Sequence, residues 1–375
     1  MNSELSLNTV NETPSSAKII IGLSGGVDSA VSALFLQQQG WDVEALFMKN
    51  WDEDDDEHCA AAEDLAQAQH IAELLSIPLH TINFSPEYWE SVFTYFLKEY
   101  RAGHTPNPDI ICNKEIKFKA FITHARTLGA SRIATGHYAD IQYEADSYRL
   151  LQAADHDKDQ TYFLYALNQK QLSSSLFPLA NIHKSEVRKI AKQHNFPCHD
   201  RKDSTGICFI GERNFRQFLE SYIPAKDGDI LDLEGKLVGH HKGCWHTTIG
   251  QRHGLGIGGI RGRNDGAWYV VAKDASKNTL TVVQDKNHPL LFQSEVHISQ
   301  VNWINKAAQD GAHLGCRIRH RQTMQKCRIH YGGDKSSLTI YFDQPQRAVA
   351  AGQSAVLYRN RECLGGGVID TPRNY

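Results

Sequence analysis

Two stretches of this sequence combine residue types and spacings suited to chemistry. In the first, Leu23-Ser24-Gly25-Gly26-Val27-Asp28-Ser29 follows an apolar run at 18–23 and opens a helix-forming stretch. Adjacent glycines permit positive φ and close backbone approach. Successive amides at such a turn, added to the partial positive charge of a helix N-terminus, bind anions. Ser24 and Ser29 supply hydroxyl donors, so the loop reads as a phosphate cradle. A plain strand-to-helix turn with Asp28 or Ser29 as N-cap is the alternative. The loop matches neither G-x-x-x-x-G-K-[ST] nor G-x-G-x-x-G, which sets aside the Walker and dinucleotide fingerprints.

The second is a pair of cysteines distant in sequence. Cys112 follows Asn107-Pro108-Asp109-Ile110-Ile111, just before a helix expected over 114–128. A helix start and the nearby Lys114 and Lys117 favour thiolate there, while Asp109 opposes it. Cys208 lies in Asp203-Ser204-Thr205-Gly206-Ile207-Cys208-Phe209-Ile210-Gly211, a loop by composition, beside Arg201 and Lys202. A loop thiol in basic surroundings suits a carrier of reactive sulfur. For any of the eight cysteines, a small buried hydrophobe is the competing reading. None forms C-x-x-C, so a zinc ribbon or thioredoxin motif is unsupported, and reduced cytosolic thiols are expected.

Charge bears on polyanion binding. The chain's net charge of −3 argues against a uniformly basic surface, but residues 1–200 balance at −11 and 201–375 at +8. The basic back half is the better polyanion surface. There, Arg317-Ile318-Arg319-His320-Arg321 reads as a strand with its three arginines on one face. Such a stripe suits phosphates, with a solvated strand face as the alternative. Lys158-Asp159-Gln160, before the aromatic stretch 161–165, reads as a loop and helix cap. The run from His240 to His246 lacks zinc-ligand spacing and reads as a hairpin turn, so no metal site is assigned. The acidic run 52–57 reads as a solvated loop, and 254–259 (GLGIGG) as a β-loop.

These residues need elements to position them. Apolar runs at 18–23, 43–48, 79–84 and 132–135 alternate with helix-forming stretches at 29–39, 59–75 and 114–128. That alternation predicts an α/β, doubly wound parallel sheet, whose ligands sit at the strands' carboxyl ends. After about residue 210 short β-rich runs with turn residues take over, as at 229–238 around Glu234-Gly235, 268–271, 279–283, 327–331, 338–342 and 355–358. Two small all-β domains are expected, divided near 287–294. The division is then a tail at 1–17, a catalytic domain at 18–212, a central β domain at 213–292 and a C-terminal β-barrel at 293–375. A 41% hydrophobic, 22% charged composition excludes a mostly disordered chain. No apolar run approaches the roughly 20 residues of a membrane helix, and the polar N-terminus lacks a signal peptide's pattern, so a cytoplasmic protein is expected.

The glycine loop resembles the PP-loop of the ATP pyrophosphatase superfamily. SGGVDS, NPDIICNKEIKF, ATGHY, KDQTYFL and STGICFIGERNF occur in that order. Together with the β domains they resemble the tRNA-uridine 2-sulfurtransferases (tRNA-specific 2-thiouridylases), over all but the first ~17 residues. The resemblance implies that ATP, expected with Mg²⁺, adenylates O2 of the wobble uridine (position 34) of tRNA and that persulfide sulfur displaces AMP. It places ATP on Gly22, Leu23, Ser24, Gly25, Gly26, Val27, Asp28, Ser29, Met48 and Gly136. It makes Cys208 the persulfide carrier and Cys112 the second catalytic cysteine, which either releases hydrosulfide or resolves an intermediate; both routes leave a transient Cys112–Cys208 disulfide. Asn107, Pro108 and Asp109 would meet the target base, with Asp109 a candidate acid–base or hydrogen-bonding group. His137, Lys158, Asp159, Gln160, Arg319, His320 and Gln353 would meet tRNA. Expected partners are tRNAs of the Lys, Glu and Gln isoacceptor type and an upstream persulfide-relay protein or cysteine desulfurase. Another PP-loop ligase, or a nucleotide-binding RNA module without catalysis, is the alternative. The latter would tolerate loss of both cysteines.

Overall fold

The computed structural model describes residues 17–51, 60–202, 215–257, 266–333 and 336–371. Cys208, the acidic run 52–57, and Gly258 and Gly259 lie outside these residues.

The front of the chain forms a five-stranded parallel sheet of order β3-β2-β1-β4-β7. Its strands are β1 (Lys18–Gly22), β2 (Asp42–Lys49), β3 (Leu79–Asn83), β4 (Arg132–Ala134) and β7 (Ser175–Leu176). Ile19, Ile20 and Ile21 are fully buried, as expected of a β-branched run covered on both faces. Helix α1 (Val27–Gln38) returns the chain from β1 to β2 and stops before Gly40, whose φ of +83° closes the helix end. Helix α2 (Ala60–Leu75) links β2 to β3. Strand order reverses between β1 and β4, and a doubly wound sheet opens its ligand crevice at such a point.

One helical run begins earlier than the sequence suggests. Pro108–Ile111 is already helical, with Asn107 as N-cap accepting a bond from the Asp109 amide at 3.2 Å. The run continues through a π-wound stretch, Cys112–Ala120, into Phe121–Thr127. Cys112 therefore sits a full turn inside the helix rather than ahead of it, where the N-terminal field has weakened.

The back of the chain is β-rich. A four-stranded sheet, β10-β11-β8-β9, contains β8 (Gly228–Leu231), β9 (Leu237–His241), β10 (Tyr269–Asp274) and β11 (Thr279–Val283). Its core gathers Ile230, Cys244, Trp268, Val270, Leu280 and Val282. The last domain runs β12 (Phe292–Trp303), β13 (His313–Arg317), β14 (Gln325–Tyr331), β15 (Leu338–Arg347), β16 (Ser354–Arg359) and β17 (Glu362–Ile369). Pairing of β12 with both β15 and β17 closes these six strands into a barrel. At the closure, a Cβ on Gly365 (φ +141°) would lie 2.0 Å from the Asn302 carbonyl oxygen.

The front of the chain contributes an unexpected piece to this sheet. Strands β5 (Ala139–Glu144) and β6 (Ser147–Gln152) form a hairpin whose β6 pairs with β17, Leu150 and Leu151 opposite Cys363 and Glu362. Its turn residues, Ala145 and Asp146, have φ of 51° and 59°. The barrel is thereby fixed to the crevice, since β5 begins three residues after Gly136.

Candidate functional site

The glycine loop leaves β1 at the strand-order reversal. Gly25 has φ +76°, and a Cβ there would lie 2.6 Å from the Asp64 carbonyl oxygen. Gly26, the N-cap of α1, offers no side chain to satisfy the first helical amides, which leaves them for an anion. Ser29 Oγ donates to the Gly26 carbonyl at 2.9 Å and lies 3.3 Å from Ser24 Oγ, so the two hydroxyls face one another across the loop. Gly136, beyond β4, packs so tightly that a Cβ would meet the Asp28 carbonyl carbon and the Ser29 amide at 2.9 Å. Met48 Cε would lie 3.2 Å from a Cβ on Gly22. The fold thus brings the residues from Gly22 to Ser29 together with Met48 and Gly136 at the carboxyl ends of three neighbouring strands. Amide-rich, with glycine where a Cβ would obstruct, this crevice suits a phosphate-bearing ligand.

Sequence reasoning missed the crevice's cation. Lys184 is only 7% exposed, and its Nζ donates to both carboxylate oxygens of Asp28, at 2.8 and 2.7 Å. Tyr138 Oη donates to Asp28 Oδ1 at 2.8 Å. Lys184 opens the helix Lys184–Gln193, and its amide donates to Asp155 Oδ2 at 2.8 Å, which fixes that helix start. In a sequence, a lysine within a charge-rich helix looks like a solvated face; only the tertiary fold brings it to the loop.

From Asp28 a continuous set of bonds leads to the other motifs. Tyr138 exchanges two bonds with Gln160: the Gln160 amide donates to the Tyr138 carbonyl at 2.8 Å, and the Tyr138 amide donates to Gln160 Oε1 at 2.9 Å. Gln160 precedes the helical turn Thr161–Leu164, and Asn113 Nδ2 donates to the Phe163 carbonyl at 3.1 Å. Asn113 neighbours Cys112, which is wholly buried. Glycine loop, 158–160 loop and thiol helix are therefore one connected assembly.

Several residues expected at RNA also make bonds within the protein. The Asp159 carboxylate is enclosed: it accepts from Thr161 Oγ1 at 2.9 Å, Gln152 Nε2 at 3.1 Å and Arg317 Nη1 at 2.9 Å. Its side chain is 0% exposed, and its bonds organise the loop. The basic stripe is also corrected. Strand β13 ends at Arg317, which turns inward to Asp159 and over the Tyr358 ring, 5.3 Å from its centroid. Arg319 donates to the Ala348 carbonyl at 2.6 Å, and His320 Nε2 lies 2.9 Å from the Asp159 carbonyl oxygen, both in the turn beyond the strand. His137 is 8% exposed between the Phe118 and Phe177 rings, with Nδ1 2.8 Å from Thr135 Oγ1. Burial, assisted by Lys117, holds its pKa well below the usual histidine range. Lys158 lies on the loop surface, half-buried. Gln353 Nε2 donates to the Thr105 carbonyl at 2.7 Å, two residues before Asn107.

The remaining described cysteines behave as core. Burial pushes the Cys198, Cys244, Cys316 and Cys363 thiols above the usual range, which disfavours thiolate chemistry. Among the described residues no group of three His, Cys, Asp or Glu side chains could hold a metal ion, and no helix is long and apolar enough to cross a membrane.

Family models match the chain in three consecutive pieces. These are the tRNA methyl transferase HUP domain over residues 17–212, the tRNA methyl transferase PRC-barrel domain over 216–284, and the aminomethyltransferase beta-barrel domain over 293–369. The tRNA-specific 2-thiouridylase MnmA of Francisella tularensis subsp. holarctica is 52% identical over 355 residues, covering 94% of this chain and 99% of that protein. The tRNA-specific 2-thiouridylase MnmA of Shewanella baltica is 51% identical over 368 residues, covering 97% and 99%. Among solved structures, the U34-tRNA thiolase NcsA from Methanococcus maripaludis aligns at a TM-score of 0.37 and 17% identity, over 58% of this chain and 70% of that one. Half of all aligned positions are identical across nearly the full length of both curated relatives, through all three matched pieces, and on that ground the chain belongs to the tRNA-specific 2-thiouridylase MnmA family.

Proposed function

We propose that this protein is a tRNA-uridine 2-sulfurtransferase that exchanges O2 of the wobble uridine (position 34) for sulfur at the expense of ATP. The observation that carries the reading is the glycine crevice joined through Tyr138 and Gln160 to the Cys112 helix, in a chain half identical to named 2-thiouridylases. The "methyl transferase" wording of the family models would predict methylation. A phosphate-cradling crevice linked to a cysteine favours adenylation and sulfur transfer instead.

Within this reading ATP lies along Gly22 to Ser29, with Met48 and Gly136 bordering the base. Lys184 places a cation beside the phosphates, and Mg²⁺ bound to ATP would lower their charge further. Uridine O2 attacks the α-phosphorus; pyrophosphate leaves, and the O2-adenylate now carries AMP as leaving group. Asn107, Pro108 and Asp109 hold the base above Cys112. Cys208 carries the sulfur as a persulfide, and Cys112 thiolate attacks the Cys208 sulfur. That step forms the Cys112–Cys208 disulfide and releases hydrosulfide, which displaces AMP at C2. Alternatively the persulfide attacks C2 first and Cys112 resolves the linkage; both routes end in the same disulfide, reduced afterwards by an external thiol. Lys158, Gln160, His320 and Arg319 belong to the RNA-facing rim, with His137 beneath it. We divide the chain at 18–212, 213–292 and 293–375, a reading that the three matched pieces support. Lys, Glu and Gln tRNAs as substrates, a persulfide-relay donor and a cytoplasmic setting complete the proposal. The test is incubation of purified protein with ATP, a persulfide source and tRNA, followed by nucleoside mass analysis. 2-Thiouridine formed only with ATP is expected; a methylated nucleoside, or none, overturns the reading.

A further inference from the structure

We infer that Gln353 acts as a positioning residue: through the Thr105 backbone, the C-terminal barrel sets the placement of Asn107-Pro108-Asp109. This rests on the thiolation reading above.

The segment before Asn107 is held from three sides. The Thr105 amide donates to the Ala351 carbonyl at 2.8 Å, and Gln353 Nε2 donates to the Thr105 carbonyl at 2.7 Å. Both backbone polar groups of Thr105 are thus used by one turn of the barrel domain. From the central β domain, Thr248 Oγ1 lies 3.4 Å from Thr105 Oγ1. From the catalytic domain, the His104 amide donates to the Glu99 carbonyl at 2.9 Å, and His104 Nδ1 lies 2.7 Å from Glu99 Oε2.

The turn itself is built for close approach. Gly352 has φ +86°, and a Cβ there would lie 2.9 Å from His104 Cβ and 3.0 Å from the Thr105 amide. Its own amide donates to the Ile369 carbonyl at 2.9 Å, and the Ile369 amide to the Gln353 carbonyl at 2.7 Å, so the turn is bonded to β17. Beyond Thr105, Pro106 and Pro108 are buried and fix their φ angles. A displacement at Thr105 passes along this stiff stretch to Asn107 and Asp109, and Cys112 follows one turn later. Gln353, which the sequence placed at tRNA, also directs its amide nitrogen at the protein.

The test uses the full chain with Gln353→Met, equal in length without the donor, and Gln353→Glu, which also adds negative charge. Hydrogen exchange over 104–112, tRNA affinity and its salt slope, and the single-turnover thiolation rate at saturating tRNA are measured. Both variants should exchange faster over 104–112 and lose about tenfold or more in the saturated rate. Reading the rate at saturating tRNA keeps that loss apart from any change in tRNA affinity or its salt slope. Unchanged exchange overturns the inference whether or not the protein thiolates tRNA, which keeps it separable from the thiolation reading. So does a weakened affinity, steeper for Gln353→Glu, with the saturated rate intact.

Discussion

Lys184 Nζ bonds both oxygens of the Asp28 carboxylate at 2.8 and 2.7 Å, and so joins the helix Lys184–Gln193 to the second residue of the helix leaving the glycine loop. The pair places a buried ammonium beside the amides expected to receive phosphates. Without Lys184 the loop would present an unpaired carboxylate to a polyanion.

Lys184→Met should therefore weaken ATP binding by about tenfold to a hundredfold, the worth of one charge-assisted contact. Titration calorimetry with ATP reads this directly. Asp28→Asn, which leaves the ammonium in place, should cost less. Equal affinities for the Lys184→Met and wild-type chains would remove Lys184 from the phosphate site.

On the proposed mechanism the cysteines separate the two halves of the reaction. Cys112→Ser and Cys208→Ser should each abolish 2-thiouridine formation while tRNA-dependent pyrophosphate release from ATP continues, because adenylation uses neither thiol. Full thiolation by either variant would refute the assigned role. Loss of pyrophosphate release in Cys112→Ser would instead place the buried thiol in the base pocket's architecture.

The Arg317–Asp159 pair is a stability element. Its side chains are 12% and 0% exposed, so removing the guanidinium strands a buried carboxylate. Arg317→Met should lower the unfolding free energy by about 3 kcal/mol, read by denaturant titration. The salt slope of tRNA binding should be unchanged, since the arginine is turned away from phosphates. A reduced slope with unaltered stability would restore Arg317 to the RNA surface.

That pair also marks where sequence patterning stops being informative. Alternation at 317–321 is a valid strand signal, but the ladder ends at Arg317 because the chain turns there: the Ile318 amide donates to Gln322 Oε1 and the Gln322 amide to the Arg319 carbonyl. The parallel sheet, glycine loop and β-rich back were legible because each has a local period or turn signature. The β5–β6 hairpin was not: its positive-φ turn is Ala145-Asp146, without the glycine or asparagine that advertises such turns. The early helix start was hidden by Pro108, which suits the first helical position as well as it suits a loop. Lys184, Thr105 and Thr248 carry no motif; their roles depend on partners far along the chain.

His137 gives the fold a pH dependence of known sign. Burial keeps the folded imidazole neutral, whereas in the unfolded chain it binds a proton near pH 6.5. Below that pH the unfolded state holds more protons than the folded one. Stability is therefore fully present above about pH 6.5 and falls as pH drops, by at most about 1.4 kcal/mol per pH unit for this group. His241 and His320, also lowered by burial, act in the same window and with the same sign. Replacing His137 with glutamine keeps a partner for Thr135 Oγ1 and removes one titrating group. Urea unfolding between about pH 7 and pH 5 should then show a shallower slope in His137→Gln than in the wild-type chain. Parallel slopes would mean that His137 gains its proton without unfolding, which its position between the Phe118 and Phe177 rings opposes.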